Sequence, residues 1–310
     1  MAVTAAMVKE LREMTGAGMM DCKKALAATD GDMDKAVEFL REKGLAGAAK
    51  KAGRIAAEGI VVTDVAEDGK AAVVVEVNAE TDFVAKNEKF RTYAADVAAQ
   101  ALKSNAANMD EFMAETWEKD PSLTVKEALS SQIAIIGENM NIRRFEKLSV
   151  ENGLVASYIH AGGKIGVLVA VESDVVNDAV KEMAKNVAMQ AAALKPLYTS
   201  RDEVDADYIA KEKEILAAAA KNEKPDANDK IIEGMVMGRI NKELKEICLL
   251  DQVYVKAEDG KQAVSKYVEA VAKENGAKIK VVKFLRFETG EGMAKKEENF
   301  AEEVAKQMGM

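Results

Sequence analysis

The chain has 310 residues, 48% hydrophobic and 31% charged, which is enough apolar material for a packed core and excludes wholesale disorder. Forty-four Lys and Arg against 53 Asp and Glu leave a net charge of −9, a field that repels phosphate and argues against direct nucleic-acid contact. One histidine, His160, excludes chemistry that needs a His pair, and two cysteines, Cys22 and Cys248, exclude a disulfide framework or a four-thiolate zinc site.

Residues 4–43 read as three short helices. Thr4 is placed to cap the first, with Met7, Val8, Leu11 and Met14 at the spacing of one face. Gly16-Ala17-Gly18 breaks it, Asp21 can start the second, Asp30-Gly31-Asp32 turns into the third, and Gly44 closes that one. Met19 and Met20 are adjacent and cannot both face inward, so one of them presents a flexible apolar surface of the kind that binds protein. Residues 44–57 hold three glycines, six alanines and the cluster Lys50, Lys51 and Arg54, which predicts a partly helical linker with a solvated basic face.

From Gly59 the texture changes. Ile60–Thr63 and Ala71–Val77 are β-branched runs around a Glu67–Lys70 turn, which predicts a hairpin. Phe90, Tyr93, Ala94, Val97 and Ala98 recur at helical spacing; a helix over 123–136 and a strand over 142–150 follow. Gly153–His160, a Gly162-Gly163-Lys164 turn, Ile165–Val171 and a helix with Val180, Met183, Ala184 and Val187 then repeat the pattern. Gly69-Lys70 lies over Gly163-Lys164 at an offset of 94, and Val97–Ala101 over Val187–Ala191 at an offset of 90. The first unit therefore carries four extra residues between its second strand and its helix, within Ala79–Glu88. Whatever is special to the first unit sits there.

Val204, Tyr208, Ile215, Leu216 and Ala219, then Ile232, Val236, Ile240, Leu244 and Ile247, form two apolar stripes on either side of Lys224-Pro225-Asp226, an antiparallel helical hairpin. A helix near 264–272, a strand over 279–287 and a charged terminal helix complete the chain. The expected class is α+β, with a bundle and linker in 1–55, a first core subdomain in 56–150 and a second in 151–200 plus 251–282. The helical hairpin occupies 201–250 and a C-terminal module 283–310. Lys9 and Glu10 come before any apolar stretch, and no run nears the ~20 apolar residues of a membrane span, so a soluble, cytoplasmic protein without membrane contact is expected.

The chemical inventory is empty. Gly163-Lys164 is followed by Ile165 rather than Ser or Thr, which excludes a phosphate-binding loop, and Gly16-x-Gly18 lies between helices with Asp21 at the third glycine position. His160 ends a strand and reads as a hydrogen-bonding surface group. No enzyme activity, no cofactor and no bound metal are expected. Thr81 can cap a short helix whose dipole Asp82 favours, with Phe83 packing below, but the sister unit builds its helix without these residues.

Leu11–Leu26, with Thr15-Gly16-Ala17-Gly18-Met19-Met20-Asp21-Cys22 at its centre, resembles the N-terminal signature of the bacterial translation elongation factor Ts family. Glu76–Lys86 resembles its second signature, and Phe287–Gly292 is similar to its terminal run. Ala79 and Glu80 stand where members often carry Cys and Gln. The resemblance implies a guanine-nucleotide exchange factor for elongation factor Tu, in GDP-bound and nucleotide-free forms. It implies that Thr81, Asp82, Phe83 and Val84 dislodge the partner's Mg²⁺. The bundle, which resembles a ubiquitin-associated domain, would dock through Arg12, Met19 and Met20. The second unit would grip the partner through His160, Lys164, Ile165 and Gly166. The helical hairpin resembles the family's coiled-coil or dimerisation insertion, which leaves a homodimer open. A multi-module adaptor without exchange activity is the rival reading.

Overall fold

In the computed structural model, which describes residues 3–294, the Thr4 hydroxyl accepts from the Met7 N–H and opens α1 (Ala5–Thr15). Gly16, at φ 66°, ends α1 by returning its N–H to the Arg12 carbonyl, a left-handed cap that glycine makes without strain. After α2 (Met19–Ala28), the Asp32 carboxylate accepts from the Lys35 N–H and starts α3 (Met33–Lys51). Val8, Leu11, Cys22, Ala25, Leu26 and Ala36 form the small core of this bundle.

Gly44 does not close α3. Gly44 is buried inside α3 where that helix packs on α7 (Val125–Ile136); a Cβ there would meet the Ala134 Cβ at an ordinary contact distance of 3.8 Å, so the packing on α7 carries the helix through the glycine. The helix carries on through the alanine-rich stretch to Lys51, so Lys50 and Lys51 sit in its last turn, where cations complement the dipole.

The first sheet has the order β1-β2-β3, all antiparallel, from β1 (Glu58–Val65), β2 (Ala71–Ala79) and β3 (Met140–Ser149). Between β2 and β3 the chain forms α4 (Asp82–Lys86), α5 (Glu88–Lys103), α6 (Met109–Ala114) and α7. Phe90, Tyr93 and Val97 of α5 pack with Phe112 and Ile133 over Val73, Val75 and Val77. α6 has no counterpart in the sequence-based expectations. Its single apolar turn, capped by Asn108, is too short to show a period.

The second sheet has the order β4-β5-β6, from β4 (Gly153–His160), β5 (Ile165–Ser173) and β6 (Ile279–Glu288), with α8 (Asp178–Leu194) on one face. The repeat holds in atomic detail. Gly59 and Gly153 occupy equivalent strand positions at φ 125° and 128°, where a Cβ would overlap the Val77 and Val171 carbonyl oxygens. The register shifts after Glu76 in one sheet and after Ala170 in the other, and Asn87 and Asn177 cap α5 and α8. The Val61 N–H donates to the Gly163 carbonyl at 2.7 Å, and the Val155 N–H to the Gly69 carbonyl at 2.8 Å. Such reciprocal bonds mark an approximate two-fold axis between the units. Val61, Val74 and Leu148 of one sheet face Leu168, Leu285 and Phe287 of the other.

Eight residues (80–87) separate β2 from α5, whereas four (174–177) separate β5 from α8. The insertion read from the repeat offset is therefore the segment that carries α4.

From the second unit extend α9 (Ala206–Glu223) and α10 (Asp229–Ile247), which pack antiparallel and bury Ala220, Ile232, Val236, Ile240 and Leu244. Ile215 faces solvent, contrary to its place in the expected stripe, because the adjacent Leu216 takes the inward position. α11 (Val264–Glu274) returns the chain to β6. The division expected after residue 282 falls inside β6, which pairs with β5 from Ile279 to Glu288. The charged terminal helix lies outside the described residues. Among those described, no helix is long and apolar enough to cross a membrane.

Candidate functional site

The α4 segment is tied down at its N-terminal end. The Thr81 N–H and hydroxyl both donate to the Glu138 carboxylate, at 3.0 and 2.7 Å, and the Asn139 N–H donates to Glu80 at 2.6 Å. The Thr81 hydroxyl also accepts from the Val84 N–H, which caps α4 as the sequence predicts. Val84 and Ala85 turn into the first core and are buried, while Phe83 points the other way with 81% of its surface exposed. Five residues of helix thus divide between anchoring and display. A phenylalanine left in water forgoes the ~1.5–3 kcal/mol that burial would give, so nothing in the fold accounts for its presence there.

Beside it, Asp82 accepts from Lys86 at 2.7 Å. That bond, with the Lys164 charge adding to it, holds the Asp82 carboxyl below its usual range. Lys164 sits at the β4–β5 tip, where Ala161, Gly162 and Gly163 all take positive φ. The tip is drawn onto the first unit: Arg91 of α5 donates to the Gly162 carbonyl at 2.6 Å, Lys164 pairs with Glu58, and the Val61 N–H donates to the Gly163 carbonyl, while Thr289, after β6, bonds both Gly163 and Lys164 from the other side. The structure therefore brings α4 and the tip together, although their residues lie about eighty positions apart.

The candidate residues separate by environment. His160 and Lys164 are exposed, and the Tyr158 hydroxyl lies 3.0 Å from His160 Nδ1. Ile165 is half-buried against the second core, and Gly166 is interior, where a Cβ would overlap Val61 Cγ1. Arg12 is exposed on the bundle, and Met19 and Met20 are 59% and 60% exposed. Both methionines face out, not one as expected, because Gly18 starts α2 at Met19 and the first buried position is Cys22. An open cleft of about 560 Å³ separates Thr15 and Gly16 of the bundle from Glu88, Lys89 and Thr92 of α5.

Sequence reasoning missed Glu138, Arg91 and, above all, Glu76. The Glu76 side chain is fully buried in β2 and accepts from Arg143, Arg144, Asn78 and the Gly290 N–H. Burial alone would push its carboxyl up, but these donors, led by Gly290, outweigh burial and hold it below the ordinary glutamate range. A lone acid in the run Ala-Ala-Val-Val-Val-Glu-Val was the available signal. Among the described residues, no group of three or more His, Cys, Asp or Glu side chains could hold a metal ion.

The family model for "Elongation factor TS" matches residues 80–291, a span that opens one residue before the α4 cap and closes at the turn bonded to Glu76. This chain belongs to the elongation factor Ts family. Elongation factor Ts of Clostridium botulinum (strain Eklund 17B / Type B) is 57% identical over 308 residues, 99% of each chain. Those of Clostridium perfringens (strain SM101 / Type A) and Clostridioides difficile (strain 630) are 57% and 56% identical, again over 99% of both chains. The likeness to elongation factor Ts thus extends through the bundle, which lies ahead of the matched span.

Proposed function

We propose that this chain releases GDP from elongation factor Tu by pressing Phe83 and Asp82 into the partner's Mg²⁺ site. Family membership makes it the nucleotide exchange factor of elongation factor Tu in translation. The mechanism rests on one observation: a phenylalanine 81% exposed on a short helix whose cap, Thr81, and the residue before it are tied to Glu138 and Asn139. An anchored apolar wedge loses little conformational entropy on insertion, so its burial energy is available to displace the partner's own elements. The partner's Mg²⁺ neutralises phosphate charge, so displacing it weakens GDP. By linkage, a factor that favours the nucleotide-free partner must weaken nucleotide by the same factor.

Arg12, Met19 and Met20 are the docking residues of the bundle, and the 160–166 tip, displaying His160 and Lys164, is a second grip. Thr81 and Val84 act as mounts, one as cap and one as core. The division into a docking bundle, two core subdomains, the second of them taking in all of β6, and a helical hairpin follows the same reading. Ile215, Ile231 and Met237, exposed on the hairpin, are the surface a second copy would use. The net charge of −9 disfavours nucleic acid as a partner. The test is stopped-flow release of labelled GDP from purified elongation factor Tu. Acceleration by the full chain supports exchange. Binding without acceleration supports an adaptor.

A further inference from the structure

Glu76 lies in β2, where it and Asn78 are the buried polar side chains of an apolar strand, and its carboxylate gathers donors from three separate parts of the chain. Arg143 Nη1 approaches both oxygens at 3.0 and 3.1 Å, Arg144 Nε at 2.7 Å, Asn78 Nδ2 at 3.0 Å and the Gly290 N–H at 2.7 Å. The arginines then reach onward to the end of β6 and the turn after it. Arg143 donates to the Glu291 carbonyl at 2.6 Å, and the Arg144 guanidinium stacks over the Phe287 ring at 4.1 Å. That turn bonds the β4–β5 tip on its other side, through the Thr289 N–H to the Lys164 carbonyl at 2.9 Å and the Thr289 hydroxyl to the Gly163 carbonyl at 3.1 Å. A continuous path therefore runs from the strand that leads into α4, through Glu76, Gly290 and Thr289, to Lys164.

Stability alone does not call for such an arrangement. A buried charge cluster costs desolvation, and apolar residues of equal volume hold two sheets together as well or better. What charge-assisted, directional bonds supply and apolar packing does not is one fixed geometry. Gly290 shows how tight that geometry is. Its φ is 71°, and a Cβ there would overlap the Ala57 carbonyl oxygen.

Building on the exchange mechanism above, we infer that Glu76 is a positioning residue that sets the spacing between α4 and the β4–β5 tip, so that Phe83 and Lys164 meet the partner together. The cluster neither touches the partner nor faces solvent through Glu76. It acts through where it holds the two displayed elements.

The test is a double-mutant cycle in labelled-GDP release, using Glu76→Gln, Phe83→Ala and the pair in the full chain. Glu76→Gln keeps the volume but removes the charge, loosening the turn without altering the chemistry of any displayed side chain. Maximal exchange should fall about tenfold, while the half-saturating concentration stays within about twofold. In the Phe83→Ala background the same change should cost less than about twofold, because a misplaced wedge and an absent wedge are equivalent. Equal losses in both backgrounds, or no loss from Glu76→Gln alone, would overturn the positioning role and leave the wedge intact. No loss from Phe83→Ala would instead overturn the wedge mechanism, and the positioning role with it. Should Glu76→Gln fail to fold by circular dichroism, Arg143→Lys, which keeps the charge but loses the second arm to Glu291, goes through the same cycle with the same criteria.

Discussion

Replacing Phe83 by alanine separates a wedge from a core residue, because the two readings differ in both stability and rate. With 81% of its surface in water, only about a fifth of the residue makes contacts that alanine would lose. Taking full burial of a phenylalanine as ~1.5–3 kcal/mol, the loss is about 0.3–0.6 kcal/mol. For a chain of this size that lowers Tm by about 2 °C or less. A core phenylalanine would instead cost ~3–5 kcal/mol. If the ring is buried in the partner at the transition state, the same ~1.5–3 kcal/mol reappears in the barrier and slows GDP release about ten- to a hundredfold. Calorimetric unfolding and stopped-flow release on one preparation read both quantities. A fall in Tm beyond about 8 °C with normal exchange per folded molecule would refute the wedge.

Removing residues 1–31 takes away α1 and α2 but spares α3, whose packing on α7 belongs to the core, so the sheets should remain folded while affinity for elongation factor Tu falls at least about tenfold by titration calorimetry. Glu76→Ala should cost about 3–5 kcal/mol in urea unfolding, since it removes the buried acceptor that two arginines, Asn78 and the Gly290 N–H share. Because the native Glu76 carboxyl is held below its unfolded value, its contribution is complete above the ordinary glutamate range and is lost as pH falls through the lowered native value; Glu76→Gln should flatten the acid limb of a Tm-versus-pH profile. Gly59→Ala meets both a positive φ and the Val77 carbonyl, and should be among the most destabilising single-methyl changes in a thermal scan. Gly238→Ala, exposed in α10 with open space around it, should stabilise the helical hairpin by about 0.5–1 kcal/mol in the same assay.

Local rules carried the sequence a long way where local energetics decide the structure. Thr4, Gly16 and Asp32 cap and end helices as their types dictate, and the shift in offset from 94 to 90 isolates the insertion that the structure shows as α4. Four features escaped because their causes are tertiary. Gly44 looks like a helix end until α7 is packed against it. The choice between Ile215 and Leu216 for the inward position depends on how α9 is rotated about its axis against α10, which only their packing sets. The membership of β6 in the second sheet depends on pairing with β5, more than a hundred residues earlier. Glu76 gave a signal only as an oddity, since apart from Asn78 its partners lie 67, 68 and 214 positions away and no spacing rule connects them. The candidate site was legible as a segment but not as a surface. The exposure of Phe83 and the burial of Val84 follow from how Glu138 and Asn139 pin Thr81 and Glu80 just ahead of α4, while Val84 and Ala85 pack into the first core.

The most direct measurement is the rate of labelled-GDP release from elongation factor Tu at saturating full-length chain, at millimolar Mg²⁺ and again after chelation. If the chain works by dislodging the ion, acceleration is large when Mg²⁺ is present and shrinks by at least about tenfold once it has been removed. Equal acceleration with and without Mg²⁺, or none at millimolar Mg²⁺, would contradict the mechanism.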